Sequence, residues 1–178
     1  MEVEVKFKVE GEIEDKVRKI AKFIKEKFEE DLYFSHPCRN FAETDEALRL
    51  RKDEEGFTLT YKGPKVEKET KSRHEVKLKV ESYEKAKDLL EKIGFKPFAE
   101  VKKIRRIYRT DDGIIICLDD VFNLGKFLEI EVEGEIDKKE ELFRIASILG
   151  YKREESIKKS YLEMLLELKS SSSKTYQS

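Results

Sequence analysis

Charged side chains recur at every second position in several separate stretches of this chain, and that spacing is what could do chemistry. Glu2, Glu4 and Lys6 form one set; Arg49 and Arg51 another; then Thr58, Thr60 and Lys62; Arg73, Glu75 and Lys77; Lys103 and Arg105; and Glu129, Glu131 and Glu133. On a strand, spacing by two places every member of a set on one face. The cations Arg49, Arg51, Lys62, Arg73, Lys77, Lys103 and Arg105 suit phosphate oxygens, arginine through a two-point fork and lysine as a point charge. The carboxylates Glu2, Glu4, Asp119, Glu129 and Glu131 would repel phosphate but suit Mg²⁺ or Mn²⁺, which can bridge to it. Polyphosphate chemistry needs both kinds of group, because catalysis there consists mainly of positioning and of neutralising developing charge.

For any one strand the ordinary alternative is a solvated face decorated for solubility. Against it, across the whole chain, Arg and Lys dominate some stretches while Glu dominates others.

The elements that must position these sets follow from periodicity. MEVEVKFKVE alternates strictly, with Val3, Val5, Phe7 and Val9 on the face opposite the charges. From Glu14 to Glu30 the spacing of Val17, Ile20, Ala21, Phe23, Ile24 and Phe28 predicts a helix. Asp31 to Asp45 reads as a loop containing Pro37, after which alternation resumes in Ala47–Lys52 and, past a hairpin turn at Asp53–Gly56, in Phe57–Lys62. Arg73–Val80 alternates again. A helix capped by Ser82 and ended by Gly94 follows, carrying Ala86, Leu89, Leu90 and Ile93 on one side. Strands are expected over Phe98–Arg109, Ile114–Val121 and Phe127–Glu133, and helices over Asp137–Leu149 and Ile157–Lys169. One domain over residues 1–169 and a Ser-rich, disordered tail over 170–178 complete the reading.

Short turns between strands favour antiparallel neighbours, and the interspersed helices favour an α+β fold. A sheet of this size avoids open edges most simply by curling into a barrel. With helices over the apolar outer face, the charged sets would line the interior.

Composition narrows the function classes. Charged residues make up 43% of the chain, yet 38 Lys and Arg against 39 Asp and Glu leave a formal net charge of -1. That argues against nucleic acid or a membrane surface as a partner, since either needs a strong net field. Abundant Lys and Glu with no Trp resembles the ion-pair-rich surfaces of heat-adapted proteins. Two cysteines, Cys38 and Cys117, without a CxxC spacing or an apolar leader point to a reduced, cytoplasmic setting. No stretch has the apolar length of a membrane span. His36, Cys38 and His74 match no common zinc spacing.

At this point the residues resemble a known family. Glu2-Val3-Glu4-Val5-Lys6 matches the ExExK signature of the CYTH superfamily, the triphosphate tunnel metalloenzymes that include class IV adenylyl cyclases and thiamine triphosphatase. ALRLRK (Ala47–Lys52), TYKGP (Thr60–Pro64), SRHEVKLKV (72–80), VKKIRRIY (Val101–Tyr108), LDDVFNLGKFLEIEVE (Leu118–Glu133) and KKSYLEMLLE (Lys158–Glu167) resemble the later motifs in their usual order. The resemblance implies a closed eight-stranded antiparallel β-barrel, a tunnel with helices packed outside, triphosphate in its lumen and Mg²⁺ or Mn²⁺ on its acidic residues. Carried over by position, it implies Glu2, Glu4, Asp119, Glu129 and Glu131 as metal ligands, with Asp120 a rival to Asp119. Lys6 and Arg105 become the catalytic contacts. Arg49, Arg51, Lys62, Arg73, Lys77 and Lys103 become substrate contacts, and Lys158 or Lys159 reaches in from the last helix.

HPCRNF followed by ETDEALRLR, and the ending SYLEMLLE, look most like class IV adenylyl cyclase relatives. Those relatives make cyclic AMP and pyrophosphate from ATP: the ribose 3′-oxygen attacks the α-phosphorus and pyrophosphate leaves. The same cradle admitting water would give a triphosphatase acting on inorganic, thiamine or nucleoside triphosphate; a non-catalytic sensor of a phosphorylated ligand is a further reading. A homodimer is possible, as relatives can pair.

Overall fold

The computed structural model describes residues 2–65, 73–133 and 138–174 of the chain. In order, the elements are β1 (Glu2–Lys8), α1 (Glu14–Ile20), β2 (Lys22–Ser35), α2 (Phe41–Thr44), β3 (Ala47–Asp53), β4 (Gly56–Lys65), β5 (Arg73–Val80), α3 (Tyr83–Lys92), β6 (Lys96–Arg109), β7 (Ile115–Val121), β8 (Gly125–Glu133), α4 (Lys139–Leu149) and α5 (Tyr161–Lys174). Every strand pair is antiparallel, and the eight strands follow one another as β5-β4-β3-β2-β6-β7-β8-β1 in a strongly curled sheet. Its two ends meet at Glu2, whose backbone pairs with Arg73. The class is α+β, with the helices outside the curl.

Alternation within the strands sorts the side chains. Val3, Val5 and Phe7 of β1, Ile116 and Leu118 of β7, and Leu128 and Ile130 of β8 face outward and are covered by Val17 of α1 and by Leu142, Phe143, Ile145, Ala146 and Leu149 of α4. Leu32, Phe34, Leu48 and Leu50 are covered in the same way by Leu90 of α3. Each such side chain contributes roughly 1.5–3 kcal/mol on full burial. A third cluster, Tyr33, Val101, Val121 and Phe127 with Tyr161 of α5, has the strand parity of Asp31, Lys103, Asp119 and Glu129 and so sits on the inner face.

Local signals set several boundaries where the sequence places them. Asp53 pairs with Gly56 across the expected hairpin. The Ser82 hydroxyl accepts from the Lys85 N–H at 3.3 Å to cap α3, and Gly94, with φ +103°, ends that helix in the left-handed conformation that glycine tolerates best.

The main correction concerns residues 14–30. Only Glu14–Ile20 is helical; Ala21 turns extended and Lys22–Ser35 runs as a 14-residue strand that takes in part of the expected loop. The spacing of Phe23, Ile24 and Phe28 imitates a helical stripe, but thirteen cross-strand pairs with β6 hold this segment extended, from Lys22↔Arg109 to Ser35↔Lys96. Tertiary pairing overrides a local pattern here. A second correction lies at the end of the chain: α5 begins at Tyr161, not Ile157, and continues through Lys174, so helical backbone replaces the first part of the expected tail. Residues 175–178 lie outside the described ones.

Candidate functional site

The inner face of the curl encloses a cavity of about 430 Å³. Register explains which groups gather there. Pairing of β1 with β8 sets Glu4 opposite Glu131 and Lys6 opposite Glu129, and one carboxylate oxygen from each of Glu4, Glu129 and Glu131 lies within 4.8 Å of the others. Three hard oxygen donors at that spacing, on adjacent strands, suit Mg²⁺ or Mn²⁺. The side chain of Glu2 lies outside the described residues.

Lys6 is only 1% exposed. Its ammonium lies 2.9 Å from Glu129 and 3.7 Å from Glu4, donates to the Lys159 carbonyl at 3.5 Å, and sits 3.8 Å over the Tyr161 ring. A buried charge persists when it is matched in this way.

Arg105 and Asp119 occupy neighbouring positions on β6 and β7. Arg105 donates from Nε to Asp119 Oδ1 at 2.7 Å and from Nη2 to Oδ2 at 2.6 Å, and it is also paired with Glu129. Burial opposes its charge, but Asp119 foremost among the nearby carboxylates outweighs that and holds the guanidinium pKa well above the ordinary arginine value. Asp119 is thereby engaged. It also accepts from the Tyr161 hydroxyl at 2.8 Å, and the structure places it behind Arg105, outside the Glu4–Glu129–Glu131 cluster. The sequence expects Asp119 among the metal ligands; here its oxygens accept from Arg105 and Tyr161. Asp120 points the other way along β7 and is exposed.

A second ionic group comes from β2. Glu29 and Asp31 are buried, and Arg51 forks onto Asp31 at 2.6 and 2.7 Å while Lys103 lies 2.6 Å from Glu29. Lys27 and Arg51 approach the other Glu29 oxygen at 3.0 and 2.8 Å. These Glu29 contacts are ion pairs lying off the hydrogen-bond axis, so neither oxygen has an aligned donor. Burial pushes the Glu29 and Asp31 pKa values up, yet the surrounding cations hold both below the ordinary carboxylate range, Lys103 and Arg51 for Glu29, Arg49 and Arg51 for Asp31.

On β3, β4 and β5, Arg49, Lys62, Arg73 and Lys77 line the same cavity. Arg49 donates to the buried Thr60 hydroxyl at 3.5 Å; Lys62 is paired with Glu75; Lys77 lies 3.2 Å from Glu75; Arg73 approaches Asp45 at 3.6 Å. Arg49 also lies 3.6 Å from Asp31, so each of these cations has a carboxylate within ion-pair range while lining the cavity.

Of the residues expected from sequence, the structure gathers Glu4, Lys6, Arg49, Arg51, Lys62, Arg73, Lys77, Lys103, Arg105, Glu129 and Glu131 around one cavity. Lys158 is not among them. It is exposed and donates to the Ser156 hydroxyl at 2.9 Å, and Lys159 turns outward to Glu167. Ser160, Tyr161, Leu162, Glu163 and Leu166 are what the last segment contributes to the wall. Sequence reasoning missed Lys27 and Glu29 by assigning their part of β2 to a helix, and Asp31 and Tyr33 by assigning theirs to a loop. Their spacing by two was the available signal.

A family model, that of the CYTH domain, matches residues 1–161. The "Putative adenylate cyclase" of Methanocaldococcus jannaschii is 42% identical over 172 residues, spanning 92% of this chain and 98% of that protein. A solved structure from Pyrococcus horikoshii has a TM-score of 0.84 and 40% identity, over 94% of this chain and 99% of that one. A Vibrio parahaemolyticus structure, also named "putative adenylate cyclase", has a TM-score of 0.80 at 22% identity, over 92% and 97% of the two chains, and shows likeness of fold alone.

Proposed function

The chain belongs to the CYTH family, and from that premise we propose that its curled sheet closes as an eight-stranded tunnel and acts as a metal-dependent enzyme on a triphosphate, converting ATP to cyclic AMP and pyrophosphate. The observation that carries the reading is the presence, in the wall of one cavity, of both the Glu4–Glu129–Glu131 cluster and the cations Arg49, Lys62, Arg73 and Lys77.

Glu4, Glu129 and Glu131 would hold Mg²⁺ or Mn²⁺, which supplies charge neutralisation and eases loss of the proton from the attacking hydroxyl. The protein's own side chains do the rest. Arg49 and Arg73 would take phosphate oxygens by paired N–H donors, with Lys62 and Lys77 as mobile point charges. Lys6, fixed between Glu129 and the Tyr161 ring, and Arg105, fixed by Asp119, would offset the charge that grows on the departing pyrophosphate without having to reorganise. Phe41, Phe98, Leu162 and Leu166 give the cavity an apolar stretch of wall. An inorganic triphosphate has no use for it, whereas a nucleoside does.

The deciding assay offers ATP and inorganic triphosphate separately with Mg²⁺ or Mn²⁺ and measures cyclic AMP, pyrophosphate and orthophosphate. Cyclic AMP with pyrophosphate from ATP is the expected result. Orthophosphate alone would replace the cyclase with a triphosphatase using the same cradle, and tight binding without turnover would make the protein a sensor.

A further inference from the structure

After α4 the chain returns to β1, and it does so at Lys6. The Ile157 N–H donates to the Lys6 carbonyl at 2.7 Å, the Lys159 carbonyl accepts from the Lys6 ammonium, and two residues later the Tyr161 ring lies against that same ammonium. The ring is itself held edge-on by Phe127, 5.0 Å between centroids. Its hydroxyl donates to Asp119 Oδ2, the atom that also accepts from Arg105 Nη2. One side chain thus touches Lys6 through its face and reaches Arg105 through a shared carboxylate.

That arrangement bears on a competition inside the acidic cluster. Lys6 is within ion-pair range of Glu129 and Glu4, two of the three carboxylates spaced for a divalent cation. An ammonium drawn fully onto those oxygens would occupy the lone pairs a metal needs. An aromatic face attracts an ammonium through its quadrupole and has nothing to offer a hard, oxygen-seeking ion. Resting on the metal-dependent reading above, we infer that Tyr161 is a positioning residue with two separable effects. Its ring confines Lys6 to one Glu129 oxygen, 2.9 Å away, and keeps it at 3.7 Å from Glu4, so that the remaining oxygens of the cluster can take a divalent cation. Its hydroxyl, through Asp119, fixes the orientation of the Arg105 guanidinium, whose fork is seated on Asp119 and whose Nη1 lies on the Glu131 side.

The test separates the two effects. Mn²⁺ binding to the substrate-free protein is measured by calorimetry for wild type, Tyr161→Phe and Tyr161→Leu, and KM and kcat for ATP are measured alongside. Tyr161→Phe keeps the ring and should bind Mn²⁺ within about twofold of wild type, while its KM rises several-fold because the Arg105 fork is loosened. Tyr161→Leu should weaken Mn²⁺ roughly three- to tenfold, the range expected for losing a desolvated cation–π contact. Adding Lys6→Met to Tyr161→Leu removes the competitor and should restore Mn²⁺ affinity, which a merely disordered site would not do. Equal Mn²⁺ affinity in Tyr161→Leu and wild type, or failure of Lys6→Met to restore it, overturns the role of the ring. An unchanged KM in Tyr161→Phe overturns that of the hydroxyl. Absence of Mn²⁺ binding in wild type itself overturns the metal-dependent reading and this inference with it, whereas normal wild-type binding with an unaltered Tyr161→Leu overturns this inference alone.

Discussion

Asp31 on β2 and Arg51 on β3 face each other across one strand pair and meet in a parallel fork, Nε to Oδ1 at 2.6 Å and Nη2 to Oδ2 at 2.7 Å, with Lys103 and Arg49 each 3.6 Å from the same carboxylate. Removing the anion leaves three cations without it in a buried setting. Asp31→Asn should therefore cost about 3–5 kcal/mol, the usual result of breaking a buried pair from one side. Urea unfolding at neutral pH measures it; a loss below about 1 kcal/mol, typical of an exposed pair, would contradict the burial.

The same groups set the acid response. Asp31 and Glu29 keep their protons off more readily when folded than when unfolded, so they stabilise the fold above the ordinary carboxylate range, and that contribution is lost as pH falls below about 4. Unfolding midpoints between pH 2 and 7 should fall steeply in wild type. In Asp31→Asn the slope should be shallower, and an identical slope would remove Asp31 from the account.

An alkaline counterpart lies outside the cavity. Tyr108 donates to Glu14 at 2.7 Å, and burial first, then that bond, push its pKa up to about 12. A raised pKa on a group that is neutral when protonated gives stability present below the unfolded value near 10 and lost as pH rises toward 12. Tyr108→Phe should cost about 1 kcal/mol at pH 7 and flatten the decline above pH 10, as read by thermal unfolding with ultraviolet titration of the phenols.

For the metal, Glu4→Gln and Glu131→Gln each replace an anionic donor with a neutral one while retaining shape. Each should weaken Mn²⁺ binding by more than about tenfold, with circular dichroism unchanged. Wild-type affinity in both would place the ion elsewhere.

Lys158 and Lys62 provide a contrast in placement. Lys62→Ala removes a cation from the cavity wall and should raise KM for ATP about tenfold or more, the scale of a charge-assisted hydrogen bond. Lys158→Ala acts on the exposed surface and should leave KM and kcat within about twofold. Steady-state kinetics on the two variants decides this, and a Lys158 effect as large as that of Lys62 would require α5 to sit differently.

Alternation was enough to read β1, β3, β4, β5 and β8 in the sequence, and apolar and charged runs between turns were enough for β6 and β7, because side-chain direction on a strand follows parity alone. Parity also delivered Glu4, Lys6, Arg49, Lys103, Arg105, Glu129 and Glu131 to a common face before any pairing was known. It could not identify β2, where Phe23, Ile24 and Phe28 satisfy a helical period and only the partner strand β6 decides. Nor could it say which neighbour each charge would meet. That Asp119 spends itself on Arg105 and Tyr161 while Glu4, Glu129 and Glu131 converge follows from register between strands far apart in the chain. Lys158 turns outward and Tyr161 inward because the segment before α5 is bonded to Lys6, a contact between residues 157 and 6 that no local pattern contains. The order of residues thus fixed the kinds of charge and the faces they share, and the packing of distant segments chose their partners.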